Sequence, residues 1–360
     1  MPNPPRFVVS AVLALYRRFT ALADRVVPPQ LAVMDRMFGL LRTATLGTAA
    51  RLRIADLVAD GPLSGAELAA RLGTDADATH RLMRTLASFG VFTLRRDGRF
   101  AQNRLSAVLR SGAAGSLRNF ADYAGSGSNI AAYSDLDGTV RTGKNAFQRV
   151  HGQDIWAHFG AHPEEGQVFA GAMQDGTSMD APVLAAGFPF GTLQRLCDVA
   201  GGRGTLLAEI LRQNPGLRGV LFDEAYVLAE ADGLLGAAGV LDRVDKVAGS
   251  FFESIPGGCD GYLMKDILHD WDDARCEKIL GNLRRAAAPG AHLILSELVV
   301  EDNDATHPGP MIDLHMMMVA GDGRQRSRAQ FEQLFARTGF QLERIIPLAS
   351  LQSLVVARAV

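Results

Sequence analysis

The chain has 360 residues, of which 48% are hydrophobic and 21% charged, enough apolar sequence for two or more cores of ordinary globular type. Its 37 basic and 39 acidic residues are interspersed and nearly cancel, to a formal net charge of −2, so no field gathers nucleic acid or an anionic membrane, and a small-molecule partner is expected. Cys197, Cys259 and Cys276 lack metal-ligand spacing, and a reducing cytoplasm is the expected compartment.

At the N-terminus, residues 7–16 are apolar, follow Arg6 and are trailed by Ala21-Leu22-Ala23, a loose mimic of a signal-peptidase site. Arg17 and Arg18 interrupt the segment, which is too short to span a bilayer; an amphipathic helix packed on a partner subunit is expected instead. From 31 to 109 the pattern is helical, with breaks at Asp60-Gly61-Pro62, Gly73-Thr74-Asp75 and Phe89-Gly90. Ser64 followed by Glu67 marks a capped helix start, and residues 79–89 place Leu82, Leu86 and Phe89 on one face. Residues 91–101 then read as a hairpin around Asp97-Gly98, which completes a winged helix-turn-helix. Arg81 and Arg84 would face DNA, but Glu67, Asp75 and Asp77 leave no basic surface, so residues 1–110 are expected to be a dimerisation domain on this scaffold. Residues 111–185 form a helical connector, and from 186 to 360 strands and helices alternate. The predicted fold class is α/β, a Rossmann-like doubly wound sheet with ligands at the carboxyl ends of its strands.

The stretch from Cys197 through Asp198-Val199-Ala200-Gly201-Gly202-Arg203-Gly204 to Leu207 reads as a buried strand, a glycine turn and a helix start. A second strand, Val220-Leu221-Phe222, ends in Asp223. Glycines let the backbone approach a ligand where a Cβ would clash, and a carboxylate at the next strand tip accepts hydrogen bonds from two ribose hydroxyls. A dinucleotide site wants a third glycine where this chain has Leu207, so S-adenosylmethionine, which has a ribose and an adenine but no phosphate, fits better than NAD.

Together these motifs resemble the class I S-adenosylmethionine-dependent O-methyltransferases of plant phenylpropanoid and bacterial aromatic natural-product metabolism. The resemblance spans nearly the whole chain and is carried by Phe169-Ala170-Gly171-Ala172-Met173, the glycine loop, Leu221-Phe222-Asp223, Gly249-Ser250-Phe251-Phe252, Met264-Lys265-Asp266-Ile267-Leu268-His269-Asp270-Trp271, and Gly323-Arg324-Gln325-Arg326-Ser327. It implies a homodimer with no nucleic-acid or membrane partner. It also implies cofactor contacts at Gly201, Gly202, Gly204, Asp223, Phe251, Met173 and Thr177, with Asp198, Ser250 and Lys265 assigned beside them. The family usually has glycine at Ala200, commonly aspartate at Ser250 and commonly glutamate at Gln325; the alanine is expected to fit if its φ stays negative.

In-line methyl transfer to oxygen draws mainly on positioning, with a base that removes the hydroxyl proton adding to it. His269 is the candidate base, because histidine, with an unperturbed pKa of about 6.5, can be neutral and accepting at cellular pH. Glu297 is the candidate orienter of its ring, and Asp270 with Asp272 and Asp273 is expected to cap the following helix rather than bind metal. Met311, Met316, Met317 and Met318, with Asp313 and His315, precede the loop at Gly321. In the family this helix lines the acceptor pocket, so Trp271, Asp313, Met316, Met317 and Gln325 are assigned to an aromatic hydroxyl acceptor. The rival readings are a cofactor-binding relative that no longer transfers methyl, and a ligand-responsive winged-helix DNA regulator.

Overall fold

The structure, a computed structural model, describes residues 6–303 and 309–360. The chain forms two compact units, one of residues 16–135 and 156–179, the other of residues 1–15, 136–155 and 180–360.

The first unit is helical apart from one short ribbon. Ser64 caps the helix Gly65–Leu72, accepting the Glu67 amide while the Glu67 carboxylate takes the Ser64 amide, as the spacing predicts. The next helix, Ala76–Ser88, starts earlier than its apolar period suggests because Asp75 caps it by accepting the Ala78 amide. Ile54, Leu68, Met83, Leu86, Phe92 and Phe100 make the core, closed by pairing of Thr93–Leu94 with Phe100–Ala101 across Gly98, whose φ is 78°. Arg81, offered as a DNA-facing residue, is paired with Asp77 at 2.8 Å. In the helices Pro29–Met37 and Gly39–Arg51, Leu31, Val33, Met34, Met37, Leu40 and Leu41 are exposed, an apolar surface of the kind a subunit interface covers. The N-terminal segment lies in one helix, Arg6–Val26. No described helix is long and apolar enough to cross a membrane.

The second unit is built on seven strands: β1 Arg195–Val199, β2 Arg218–Asp223, β3 Val244–Ala248, β4 Gly261–Lys265, β5 His292–Glu297, β6 Phe340–Pro347 and β7 Ser353–Ala359. Their order is β3-β2-β1-β4-β5-β7-β6, parallel from β3 to β5 and antiparallel for the last two. Strand alternation sorts side chains to two faces. Cys197, Val220, Phe222, Tyr262, Met264, Leu293 and Leu295 pack against α2 (Asp273–Ala286) and α4 (Arg328–Thr338). On the other face Leu196, Leu221, Leu263 and Ile294 pack against α1 (Thr205–Gln213), whose Leu207 is fully buried, each such leucine being worth about 1.5–3 kcal/mol. The chain runs from β1 outward to β3, then returns to β4 on β1's other side, so the strand order reverses at β1 and β4. This switch point is where an open α/β sheet leaves a crevice at its carboxyl edge.

Candidate functional site

The ends of β1, β2, β4 and β5 bring the predicted groups to that edge. After Val199 the backbone turns through Ala200 at φ 57°, Gly202 at 62° and Gly204 at 84° before α1. Ala200 thus sits in the left-handed region, so the condition of a negative φ, on which its expected fit in the loop depends, is not met; its amide bonds Phe222 O at 2.8 Å, and this tie holds the turn in place. An alanine there costs about 1–2 kcal/mol relative to an unstrained conformation. Ala200→Gly is therefore expected to stabilise the protein by about 1 kcal/mol and raise the melting temperature by roughly 2–4 °C, which thermal unfolding checks; a lower melting temperature would contradict the strain.

The Asp223 carboxylate accepts the Gly202 amide at 2.8 Å and the Glu224 amide at 2.7 Å, one bond per oxygen, which leaves each oxygen capacity for a hydroxyl donor. Burial raises its pKa, against the two amides. Beneath the loop Asp198 is 2% exposed, its pKa pushed up to about 7 by burial and then by Asp223, against the pull of Lys265. Its Oδ2 has no hydrogen-bond partner among the described residues. A Cβ on Gly201 would stand 2.6 Å from that oxygen and from Leu221 Cδ1, so only glycine keeps this cradle open. A buried carboxylate oxygen facing a loop of amides and glycine Cα atoms suits an amino-acid ammonium, and the Asp223 carboxylate across the same loop, with capacity left on both oxygens, suits a pair of hydroxyls. The residues present therefore fit S-adenosylmethionine.

On the next loop, the Gly249 amide bonds Asp223 O at 3.1 Å, and the Ser250 hydroxyl takes the Phe252 amide at 3.4 Å. Phe251 is half-buried with its carbonyl held by Asn282 at 2.8 Å, and its ring lies 6.2 Å from that of Trp271. Met173 and Thr177 lie on the helix Pro163–Gly187 within the other unit, Met173 exposed and Thr177 half-buried.

The candidate catalytic group follows β4. Lys265 pairs with Asp266, which has φ 54° and also accepts Gln352 Nε2 at 2.9 Å. A turn of 3₁₀ helix, Leu268–Asp270, then presents His269. Glu297, the last residue of β5 and 1% exposed, accepts the Ile267 and Leu268 amides with Oε1 at 3.3 and 2.9 Å, and so carries the turn. Its Oε2 lies 3.2 Å from His269 Nδ1, a close ion pair off the ideal hydrogen-bond line. Gln325 Nε2 approaches the same nitrogen at 3.2 Å, and its backbone amide donates to Asp313 Oδ1 at 2.6 Å. Asp270 Oδ1 stands 3.5 Å from His269 Nε2.

Two expectations are corrected here. Asp272, not Asp270, caps α2, accepting the Arg275 amide at 2.7 Å; Asp270 turns inward, and burial pushes its pKa up to about 7 although His269 opposes this. His269 is not held near its ordinary value either. Burial pulls its pKa down, but Glu297 and Asp270 outweigh that and push it up to about 10.

Sequence reasoning missed two supports of this turn. Arg326, 2% exposed, donates to Leu268 O at 2.7 Å, to Trp271 O at 3.0 Å and to Asp273 at 2.8 Å. Gly323 lies so close to the His269 carbonyl that a Cβ would collide with it, and the Arg324 amide donates to that carbonyl at 2.8 Å. Arg326→Leu leaves two inward carbonyls without their charged donor and is expected to cost roughly 3 kcal/mol in denaturant unfolding. A lysine, with one ammonium for three acceptors, is expected not to restore it. Unfolding midpoints equal to the parent in both variants would remove Arg326 from this role.

Among the substrate candidates, Met316 is buried while Met317, Asp313 and His315 are half-buried on α3 (Gly309–Val319). Trp271 is half-buried, with the Arg275 guanidinium 5.6 Å from its ring. Asp266, His269 and Glu297 bring ligand atoms within 4.8 Å of one another. Lys265 already compensates Asp266, and Glu297 Oε1 is taken by two amides.

The sequence profile of the O-methyltransferase domain matches residues 133–341, and that of the O-methyltransferase dimerisation domain matches residues 34–112. The phenazine O-methyltransferase PhzM of Lysobacter antibioticus is 39% identical over 334 residues, 93% of this chain and 97% of the relative. The crystal structure of LaPhzM superposes with a TM-score of 0.89 at 38% identity, covering 93% of this chain and all of that one. CalO1, a methyltransferase of calicheamicin biosynthesis solved with S-adenosylhomocysteine bound, gives 0.79 at 31% identity, covering 92% and 98%. The chain belongs to the O-methyltransferase family that uses S-adenosylmethionine and serves aromatic natural-product biosynthesis, and it carries the family's dimerisation domain.

Proposed function

We propose that this chain, as a homodimer, methylates a hydroxyl of an aromatic, phenolic or polyketide-like metabolite, with His269 as general base. Its Nδ1–H faces Glu297, which fixes ring orientation and leaves Nε2 to take the hydroxyl proton. That pairing of a buried carboxylate with a ring at the mouth of the crevice is the observation that carries the reading. Gly201, Gly202, Gly204 and Asp223 hold the cofactor, Asp198 faces its ammonium, and Lys265, Ser250 and Phe251 flank it. Bound there, S-adenosylmethionine supplies an activated methyl group and departs as the neutral thioether. Trp271, Asp313, Met316, Met317 and Gln325 border the acceptor, residues 1–110 serve dimerisation, and no metal takes part. The resemblance to a phenazine O-methyltransferase supports a flat, fused-ring acceptor. Incubation with S-adenosylmethionine and a panel of hydroxylated phenazines, naphthoates and anthraquinones, read by mass spectrometry, is expected to give methyl ethers. A panel that yields none, with cofactor bound, would favour the relative that no longer transfers methyl.

A further inference from the structure

Both nitrogens of the His269 ring face carboxylate oxygen. Nδ1 lies 3.2 Å from Glu297 Oε2 and 3.9 Å from Asp266 Oδ1, while Nε2 lies 3.5 Å from Asp270 Oδ1. A neutral imidazole has one N–H and serves one of these sides; the imidazolium serves both.

The other groups around the ring leave that preference standing. From the end of β4, Lys265 and Asp266 compensate each other, with Asp180 adding negative charge beside Lys265. From α3 come Asp313, held by the Gln325 amide, and His315, whose pKa burial and then His269 push down to about 4, so that it stays neutral. From the loop before α4, the uncharged Gln325 carboxamide faces Nδ1 and accepts the Nδ1–H when turned to present Oε1, which otherwise has no hydrogen-bond partner among the described residues. The Arg324 amide donates to the His269 carbonyl, and the Arg326 guanidinium is turned to the carbonyls of Leu268 and Trp271 and to Asp273. The nearest charged groups on the ring are therefore carboxylates, Asp270 with its pKa pushed up to about 7 among them, and they favour the cationic ring.

A cationic ring cannot accept a hydroxyl proton. We propose that the resting site stores a proton on His269, that entry of the sulfonium cofactor expels this proton to solvent, and that methyl transfer itself restores it. This rests on the base assignment above, under which the sulfonium is separated from the ring only by the acceptor, so two cations oppose each other in a buried site. One positive charge enters as one proton leaves. In the transfer step the oxygen–methyl bond forms, the methyl–sulfur bond breaks with its electron pair left on sulfur, and the hydroxyl proton passes to Nε2. The product state, thioether beside imidazolium, then has the ionisation of the resting site. S-Adenosylhomocysteine consequently binds without proton release, and the two ligands differ only in the methyl group and its charge.

Calorimetric titration of the full-length protein near pH 7.5, in two buffers of different ionisation enthalpy, counts the protons directly. S-Adenosylmethionine is expected to release about one proton and S-adenosylhomocysteine almost none. The sign follows from the raised value in the free site: cofactor binding lowers it, so affinity for S-adenosylmethionine climbs by up to about tenfold per pH unit between the two values, and that for S-adenosylhomocysteine stays flat. His269→Asn is expected to abolish the release while keeping product affinity; should that variant fail to fold, the two-ligand comparison on the parent decides. Equal proton counts for both ligands, or none for S-adenosylmethionine, would overturn the stored proton and leave the cofactor site intact. Failure of both ligands to bind would overturn the cofactor reading itself.

Discussion

His269→Ala is expected to lower turnover by roughly 10²–10⁴-fold, with affinity for S-adenosylhomocysteine unchanged. The affinity is preserved because the proposed product contacts are the glycine loop, Asp198 and Asp223, and the bonds that hold Asp223 in place involve Gly202 and Glu224 rather than the imidazole. The rate falls because the hydroxyl would then transfer its proton without an aligned acceptor; alignment of oxygen and methyl group survives, which is why the loss is bounded. Glu297→Gln separates this role from simple structure. A glutamine can still accept the Leu268 amide through its carbonyl, but it removes the charge that favours the Nδ1–H ring. Its expected signature is a rate-limiting ionisation moved to lower pH, since Glu297 is the largest of the carboxylate influences raising the His269 value. Single-turnover rates across pH for parent and variants check both points, and parental turnover in His269→Ala would end the base assignment.

Asp223→Ala has the second large effect, on binding rather than rate. Two charge-assisted hydrogen bonds to hydroxyls, each worth about 1.5–3 kcal/mol, convert to a loss of at least roughly a hundredfold in affinity. The alanine also leaves the Gly202 amide without its acceptor, so the left-handed turn through Ala200 and Gly202 loses one of its ties. Methyl transfer at saturating cofactor is expected to recover more fully in this variant than in His269→Ala.

Much of this architecture was legible in local pattern. The strand, glycine turn and helix around Cys197–Leu207 announce themselves through short-range chemistry, as do the capping box of Ser64 with Glu67 and the carboxylate that ends β2. What stayed hidden is what distant segments impose. Ala200 adopts a positive φ because the Phe222 carbonyl captures its amide across the sheet, a tie no local preference reveals. Asp270 reads as a helix cap from spacing alone, yet the chain turns it toward His269 and leaves the cap to Asp272. Arg326 looks like one more charge in a basic loop, and only the fold makes it the donor to the Leu268 and Trp271 carbonyls. The ionisation of His269 follows from two carboxylates of its own turn, Asp266 and Asp270, and from Glu297 at the end of a different strand, so its unperturbed value was a poor guide.

The crevice at the ends of β1 and β2 is proposed to be an S-adenosylmethionine site organised by Asp223. Calorimetric titration of the parent and of Asp223→Ala with S-adenosylhomocysteine, whose binding is free of the proton coupling at His269, tests it most directly. The parent is expected to bind in the micromolar range and the variant at least roughly a hundredfold more weakly. Equal affinity in the two proteins, or no binding by a folded parent, would contradict it.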